Sequence, residues 1–266
     1  MRRTIGGLEA QVIAYSRLRR WRTVRTGDLL GPLGLNAGQE RALLSRMARA
    51  GLIARVWRGL YLVPQSLPLG GKWSPSATLA LTTLVDERGG RYQICGPNAF
   101  SRYGFDPQIP NRIFAYNNRL WGRRTIGSVE LTLIRVSDER LGATESVETP
   151  DEPTAIYSSR ARALVDAVYD WSRFNGLPRA YRWILSELAS GRVAAKELVA
   201  LALKFGDRGT KRRIGFLLSR AGVPDRLLSE LRRDLPATSS PIPWIPTLPK
   251  RGPADRVWGV VMNGEV

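Results

Sequence analysis

Side chains that act as nucleophiles, general bases or metal ligands are scarce in this sequence. Histidine is absent, which removes Ser-His-Asp and Cys-His pairs, the HExxH zinc helix and every histidine general base. Cys95 is the single cysteine, so neither a disulfide nor a cysteine zinc cluster can form within one chain. In the run Tyr92-Gln93-Ile94-Cys95 it reads as a small buried apolar residue rather than a reactive thiol. Asp166 and Asp170 stand four apart with Arg162 in reach, the pattern of a salt-bridged helix face. Ser158-Ser159 reads as a helix cap. The Gly70-Gly71 and Gly89-Gly90 pairs lack the lysine and following Ser/Thr of a Walker loop. A metal-dependent nuclease presents an acid two residues before its catalytic lysine. The residues two before Lys72, Lys196, Lys204, Lys211 and Lys250 are Gly70, Ala194, Ala202, Gly209 and Leu248. The sequence therefore predicts no catalytic residue, no metal, no cofactor and no enzyme.

What the chain holds in excess is positive charge. Its 266 residues carry 41 Lys and Arg against 23 Asp and Glu, a net charge of +18, with a pI near 11.1. Such an excess points to a polyanionic partner. Only five of the 41 bases are lysine, leaving 36 arginines, the side chain that pairs bidentately with phosphate and guanine edges, although a GC-rich coding bias yields the same preference. Residues 1–63 hold 12 arginines and no lysine against Glu9, Asp28 and Glu40, a net +9, half the total in the first quarter of the chain.

The elements that must position these cations follow from the apolar pattern. Leu8, Val12, Ile13, Tyr15 and Leu18 predict one helix, with Arg17, Arg19, Arg20 and Arg22 at its end. Thr26 is expected to cap a short second helix through Leu30, stopped by Gly31-Pro32-Leu33-Gly34. A third helix spans Asn36 to Ala50, with the Asn36 side chain accepting from the Gln39 amide in a near capping box. Leu43, Leu44, Met47, Ala48 and Ala50 form its apolar stripe, and Gly51 caps its C-terminus. Leu52 to Val63 predicts a hairpin turning near Arg58-Gly59. Helix, short helix, turn, helix and hairpin is the order of a winged helix-turn-helix, in which the helix after the turn, here the third, enters the major groove. The predicted DNA contacts are Asn36, Gln39, Arg41, Ser45, Arg46 and Arg49 on the helix, with Arg55 and Arg58 on the wing.

Pro64 to Gly71 marks a domain boundary. Beyond it, Ser74 is expected to cap a helix with Pro75 at its first position. Strands at Arg91–Cys95, Arg112–Tyr116 and Val129–Val136, with a shorter one between Asn117 and Arg124, predict a small antiparallel sheet. Asp138 to Glu152 packs six carboxylates against Arg140 alone. Helices follow from Ser158 or Ser159, then over Arg179–Ala189, Ala194–Phe205, Thr210–Ala221 and Pro224–Leu231, the pattern of a bundle. Arg208, Lys211, Arg212 and Arg213 suggest a second positive surface able to contact DNA phosphates. Leu235 to Pro253, with six prolines, reads as an extended tail, and Val257–Met262 as a returning edge strand. The fold class expected is α+β, mostly helical: a winged helix-turn-helix over 1–63, a C-terminal domain over 72–234 (small sheet plus helices to 150, helical bundle from 158), and a proline-rich tail over 235–266. No run reaches the roughly 18 to 20 apolar residues that span a bilayer, and Met1-Arg2-Arg3 leads into no signal-peptide core. The chain is expected to be soluble and cytoplasmic, without a membrane partner.

Four segments occur in a telling order: MARAGLIARVWRGLYLVP, WSPSATLALTTLV, YQICGPNAFSRYGF and SSRARALVDAVYDW. Over roughly Thr23 to Ala221 they resemble the AbiEi antitoxins of type IV abortive-infection toxin-antitoxin systems. The resemblance implies a bacterial phage-defence protein whose winged helix binds inverted repeats in its own promoter, on double-stranded DNA, and represses transcription. It further implies that the C-terminal domain assists repression and counteracts a nucleotidyltransferase-like toxin. By position, the recognition helix is Asn36 to Ala50 and the wing Leu52 to Val63. Two other classes fit the residues alone: a protein-binding module gripping an acidic partner with its basic face, and a nucleic-acid-processing enzyme working with the carboxylates of Asp166 and Asp170.

Overall fold

The computed structural model describes residues 6–66, 72–236 and 240–265; the Gly70-Gly71 pair lies outside them. The chain is mixed α/β. In order it forms α1 (Gly7–Leu18), β1 (Thr23–Arg25), α2 (Leu30–Leu33), α3 (Ala37–Arg49), β2 (Ala54–Trp57), β3 (Leu60–Leu62), α4 (Ala77–Asp86), β4 (Tyr92–Ile94) and α5 (Pro97–Arg102). Then come β5 (Ile113–Asn117), β6 (Gly122–Ile126), β7 (Val129–Arg135), β8 (Thr144–Val147), β9 (Ala155–Ser158), α6 (Arg160–Tyr169) and α7 (Trp171–Phe174). The last are α8 (Arg179–Ala189), α9 (Ala195–Phe205), α10 (Arg208–Arg220), α11 (Asp225–Arg233), β10 (Ile242–Pro243), β11 (Ala254–Asp255) and β12 (Val260–Val261). Two compact units result: residues 1–92, 111–137 and 147–155 form the first, and 93–110, 138–146 and 156–266 the second.

The first unit contains a small core in which Val12 and Ile13 of α1 meet Leu43, Leu44 and Met47 of α3, with Val24, Leu29, Leu52, Ile53, Tyr61 and Val63. Each such side chain stabilises by about 1.5–3 kcal/mol relative to exposure. β3 lies between β1 and β2, antiparallel to both. β1 is too short to carry a periodic signal, so the expected two-stranded hairpin is in fact a three-stranded sheet. The short helix also starts later than expected, at Leu30, because Pro32 is tolerated in a first turn and Gly34 closes it in the left-handed conformation (φ 60°). Ser76 rather than Ser74 caps α4, accepting from the Leu79 amide at 3.1 Å.

Elsewhere in this unit β7 lies between β5 and β6, parallel to β5 over five residue pairs and antiparallel to β6. The expected all-antiparallel sheet is therefore corrected: the strands are mixed, because β5 and β7 are joined through β6 rather than by a hairpin.

In the second unit β9 lies between β4 and β8, with Ile94 opposite Tyr157 in parallel pairing. Ser159 caps α6 as expected, accepting from the Arg162 amide. Arg162 and Asp166 do form the i, i+4 pair (2.9 Å), but with neither side chain exposed. This is a buried cluster rather than a solvated face: Arg140 joins Asp166 at 2.9 Å, Arg162 donates to the Gly142 and Arg140 carbonyls, and its guanidinium lies over the Phe205 ring. Burial pushes the Asp166 carboxyl up, and the two guanidiniums offset this only in part. Cys95 is fully buried.

The proline-rich segment does not run free. Trp244 stacks on Tyr181 with ring centroids 3.6 Å apart, and Tyr181 donates its hydroxyl to the Trp244 carbonyl. Trp258 is 2% exposed and covers Gly215 of α10, where an added Cβ would collide with its ring. β12, expected as an edge strand, is central, between β10 and β11.

Candidate nucleic-acid interface

The first unit carries the predicted site, and α3 organises it. Its start is fixed by a reciprocal capping box: the Asn36 side chain accepts from the Gln39 amide and the Gln39 side chain accepts from the Asn36 amide, both at 2.9 Å. Each substitution of such a cap costs about 1 kcal/mol. Asn36 and the Gln39 carbonyl are thus committed to the helix, which leaves the exposed Gln39 amide group as the donor available to a base. At the far end Gly51 donates to the Ala48 carbonyl and Leu52 to that of Met47.

Burying Leu43, Leu44 and Met47 turns the opposite side outward. Gly38, Arg41, Ala42, Ser45 and Arg49 are all exposed, and at 100° per residue they fall on one stripe. The small residues let a partner surface approach the backbone, while Arg41 and Arg49 stand at either end. Arg41 is exposed and bonds the Ala37 carbonyl through Nε, a bond in which its terminal nitrogens take no part. Among the described residues, Arg49 makes no ion pair.

Arg46, on the edge of that stripe, is half-exposed and pairs with Glu9 of α1 at 3.3 Å. Its charge is therefore partly neutralised within the protein. Glu9 also receives the Gly6 amide at 3.1 Å, which closes the start of α1.

The helix is held at its angle by Glu40. This carboxylate is fully buried and accepts the amides of Gly27 at 2.7 Å and Leu29 at 2.8 Å, both in the turn before α2. Charge-assisted bonds of this kind contribute about 1.5–3 kcal/mol each. In the sequence Glu40 is visible only as a charge; its spacing gives no hint of the turn it grips, eleven and thirteen residues away.

The hairpin turns at Arg58-Gly59, and Gly59 supplies the positive φ (76°) that the turn needs. Arg55 and Arg58 are exposed. Thr26 donates its amide to the Gly59 carbonyl at 2.8 Å, anchoring the turn to β1's end. On the other side Arg25 binds Glu87 through both terminal nitrogens, which holds the Arg25 guanidinium above and the Glu87 carboxyl below their usual ranges, the hydrogen bond being the main cause in each. Arg88 lies over the Trp57 ring at 5.2 Å.

The second expected basic surface is corrected. Arg212 and Arg213 are each 7% exposed; Arg212 donates to the Ser240 carbonyl and Arg213 to that of Pro243. Burial pulls the Arg213 guanidinium below the usual arginine range. Lys211 is tied to Asp234 at 2.5 Å. Of the four, only Arg208 is exposed, so the group fastens chain segments together and presents no row of cations. Further exposed cations of the first unit include Lys72, Arg123 and Arg124. The two arginines lie on β6, and only the packing of β6 against β2 brings them to this part of the unit.

Among the described residues no group of three or more His, Cys, Asp or Glu is placed to hold a metal ion, and no helix is long and apolar enough to cross a membrane.

Residues 11–64 match the family of transcriptional regulators described as AbiEi antitoxin. The AbiEi match takes in α1 from Gln11 onward, α3 and the whole β2–β3 hairpin, the stretch that carries the predicted contacts. Among solved structures the chain is similar to the RV2827C protein from Mycobacterium tuberculosis, with a TM-score of 0.61 and 16% identity over 97% of this chain and 92% of that one. That likeness is one of fold, and it extends well past the AbiEi stretch through both units. No curated protein matches the chain.

Proposed function

We propose that the chain is a non-enzymatic, DNA-binding autorepressor that also serves as the antitoxin of a type IV toxin-antitoxin operon. The order α1, β1, α2, α3 and β2–β3 supports reading residues 1–63 as a winged helix-turn-helix. One observation carries the proposal: the exposed stripe of α3 holds Arg41, Ser45 and Arg49 with no carboxylate among them, beside a wing bearing Arg55 and Arg58. α3 enters the major groove, where Gln39, Arg41 and Ser45 read base edges, while Arg49, Arg55 and Arg58 meet backbone phosphates. Inverted repeats in the promoter then take two copies on half-sites about 34–36 Å apart or a multiple of that. The C-terminal domain, residues 72–234, supports repression and counteracts a nucleotidyltransferase-like toxin in the cytoplasm, a role inferred from the resemblance over roughly Thr23 to Ala221, since the family match itself covers residues 11–64.

The test is a mobility shift on a promoter fragment from the chain's own operon. Wild type retards the intact repeat in preference to a scrambled duplex, and joint Arg41→Ala and Arg58→Ala substitution abolishes retardation. No preference by wild type in low salt overturns the repressor reading. Co-expression with a neighbouring nucleotidyltransferase tests the antitoxin half: unrelieved growth arrest overturns it.

A further inference from the structure

Beside the C-terminal end of α3 the first unit has a groove of about 520 Å³ whose walls include Arg49, Arg55, Lys72, Ser74, Thr125 and Ser128. It brings together three cations and three hydroxyls from α3, β2, the segment before α4 and the β6–β7 hairpin, and no carboxylate among the described residues lines it. The local backbone is fixed: Trp73 donates its amide to the Gly51 carbonyl at 2.7 Å, and Ser74 and Ser128 bond through their hydroxyls at 2.8 Å. Lys72 is exposed and lies across Gly51.

We propose that this groove holds one backbone phosphodiester of duplex DNA next to the segment that α3 reads, with Lys72 as its principal cation. The inference rests on the DNA-binding reading and adds to it a flanking anchor that carries no sequence information. The electrostatics favour it. The last carbonyls of α3 present about half a negative charge to this end of the helix, against three full positive charges on the walls. A phosphate oxygen between Lys72, Arg49 and Arg55 would exchange condensed counterions for fixed cations, the main source of backbone affinity. Exposed Thr125 adds a hydroxyl to the lining. A contact to a backbone phosphate carries no sequence information, so the groove's contribution is equal on every sequence.

The experiment compares Lys72→Ala, Lys72→Arg and wild type, as full chains, on an operator duplex and a scrambled duplex across a salt series. Lys72→Ala is expected to weaken both duplexes by the same factor, about tenfold for one lost charge-assisted contact, and to reduce the slope of log K on log salt by about 0.9. Lys72→Arg restores both. An alanine variant with wild-type affinity and slope overturns the groove while leaving operator reading intact. Wild type that binds both duplexes equally, with the Lys72→Ala loss present, overturns operator reading and keeps the groove. Wild type that binds neither overturns both.

Discussion

The Glu40 carboxylate accepts the Leu29 amide at 2.8 Å with no exposure to solvent, so the helix that carries the proposed base contacts is bonded directly to the turn before α2. Removing it as Glu40→Ala leaves two buried amides, those of Gly27 and Leu29, without their acceptor. The expected cost is about 3 kcal/mol or more, read as a fall in the urea midpoint of the first unit. A loss under about 1 kcal/mol would show that α3 is held by its apolar side alone.

Glu9 restrains Arg46. Glu9→Gln keeps an oxygen for the Gly6 amide but removes the charge that faces Arg46 at 3.3 Å. Operator binding should tighten several-fold at low salt and less at high salt, whereas Arg46→Ala should weaken it less than Arg49→Ala does. Titrations of the three variants against one duplex check both orders, and a weaker Glu9→Gln complex would contradict them.

Asp166→Asn breaks the buried pair with Arg162 and leaves that guanidinium uncompensated. A destabilisation of about 3–5 kcal/mol is expected, visible in thermal unfolding. If instead the variant melts like wild type and a metal-dependent nucleic-acid hydrolysis disappears with it, the carboxylate is a catalyst and the non-enzymatic reading falls.

Acid should release Glu187. Burial favours its neutral form, yet the Arg192 hydrogen bond and Arg160 outweigh this and hold the carboxyl below the usual glutamate range. Its folded value lies below its unfolded one, so its contribution is complete above the unfolded value and is lost as pH falls through the folded value. The stability gap between wild type and Glu187→Gln should thus be widest near neutrality and close in the acid range. A gap independent of pH would rule the linkage out.

Gly215→Ala places a methyl group against the Trp258 ring. Overpacking of this kind costs about 1–3 kcal/mol, and the displaced indole should shift tryptophan emission to the red. Unchanged emission would show that the ring seats elsewhere.

Local pattern made most of the helices legible: α3, α8 and α9 begin and end within a residue of where caps and apolar spacing put them, and α6 starts at its expected Ser159 cap but ends at Tyr169, before Trp171 of its expected apolar side. The capping box at Asn36 and Gln39 is contained in four residues and could be read directly. β1, α7, β8 and β9 escaped because three or four residues carry no period, and the parallel pairing of β5 with β7 follows from their connection through β6, which neither strand's own residues mark. Arg212 and Arg213 were read as surface because arginine is mostly exposed; their acceptors, Ser240 and Pro243, lie about thirty residues on. Glu40 and the Lys72 groove were missed for the same reason. What sequence spacing did supply was the helix that faces outward and the arginines upon it.

Trp244 and Trp258 lie beyond α11 in the chain, whereas the residues of the Val12–Met47 core all fall within its first sixty-odd positions. A nascent polypeptide reaching only to Arg233 would already hold α3 and its core while leaving the Tyr181 ring and the bare backbone at Gly215 without Trp244 and Trp258. Such a product would leave exposed the apolar surface that chaperones and proteases engage.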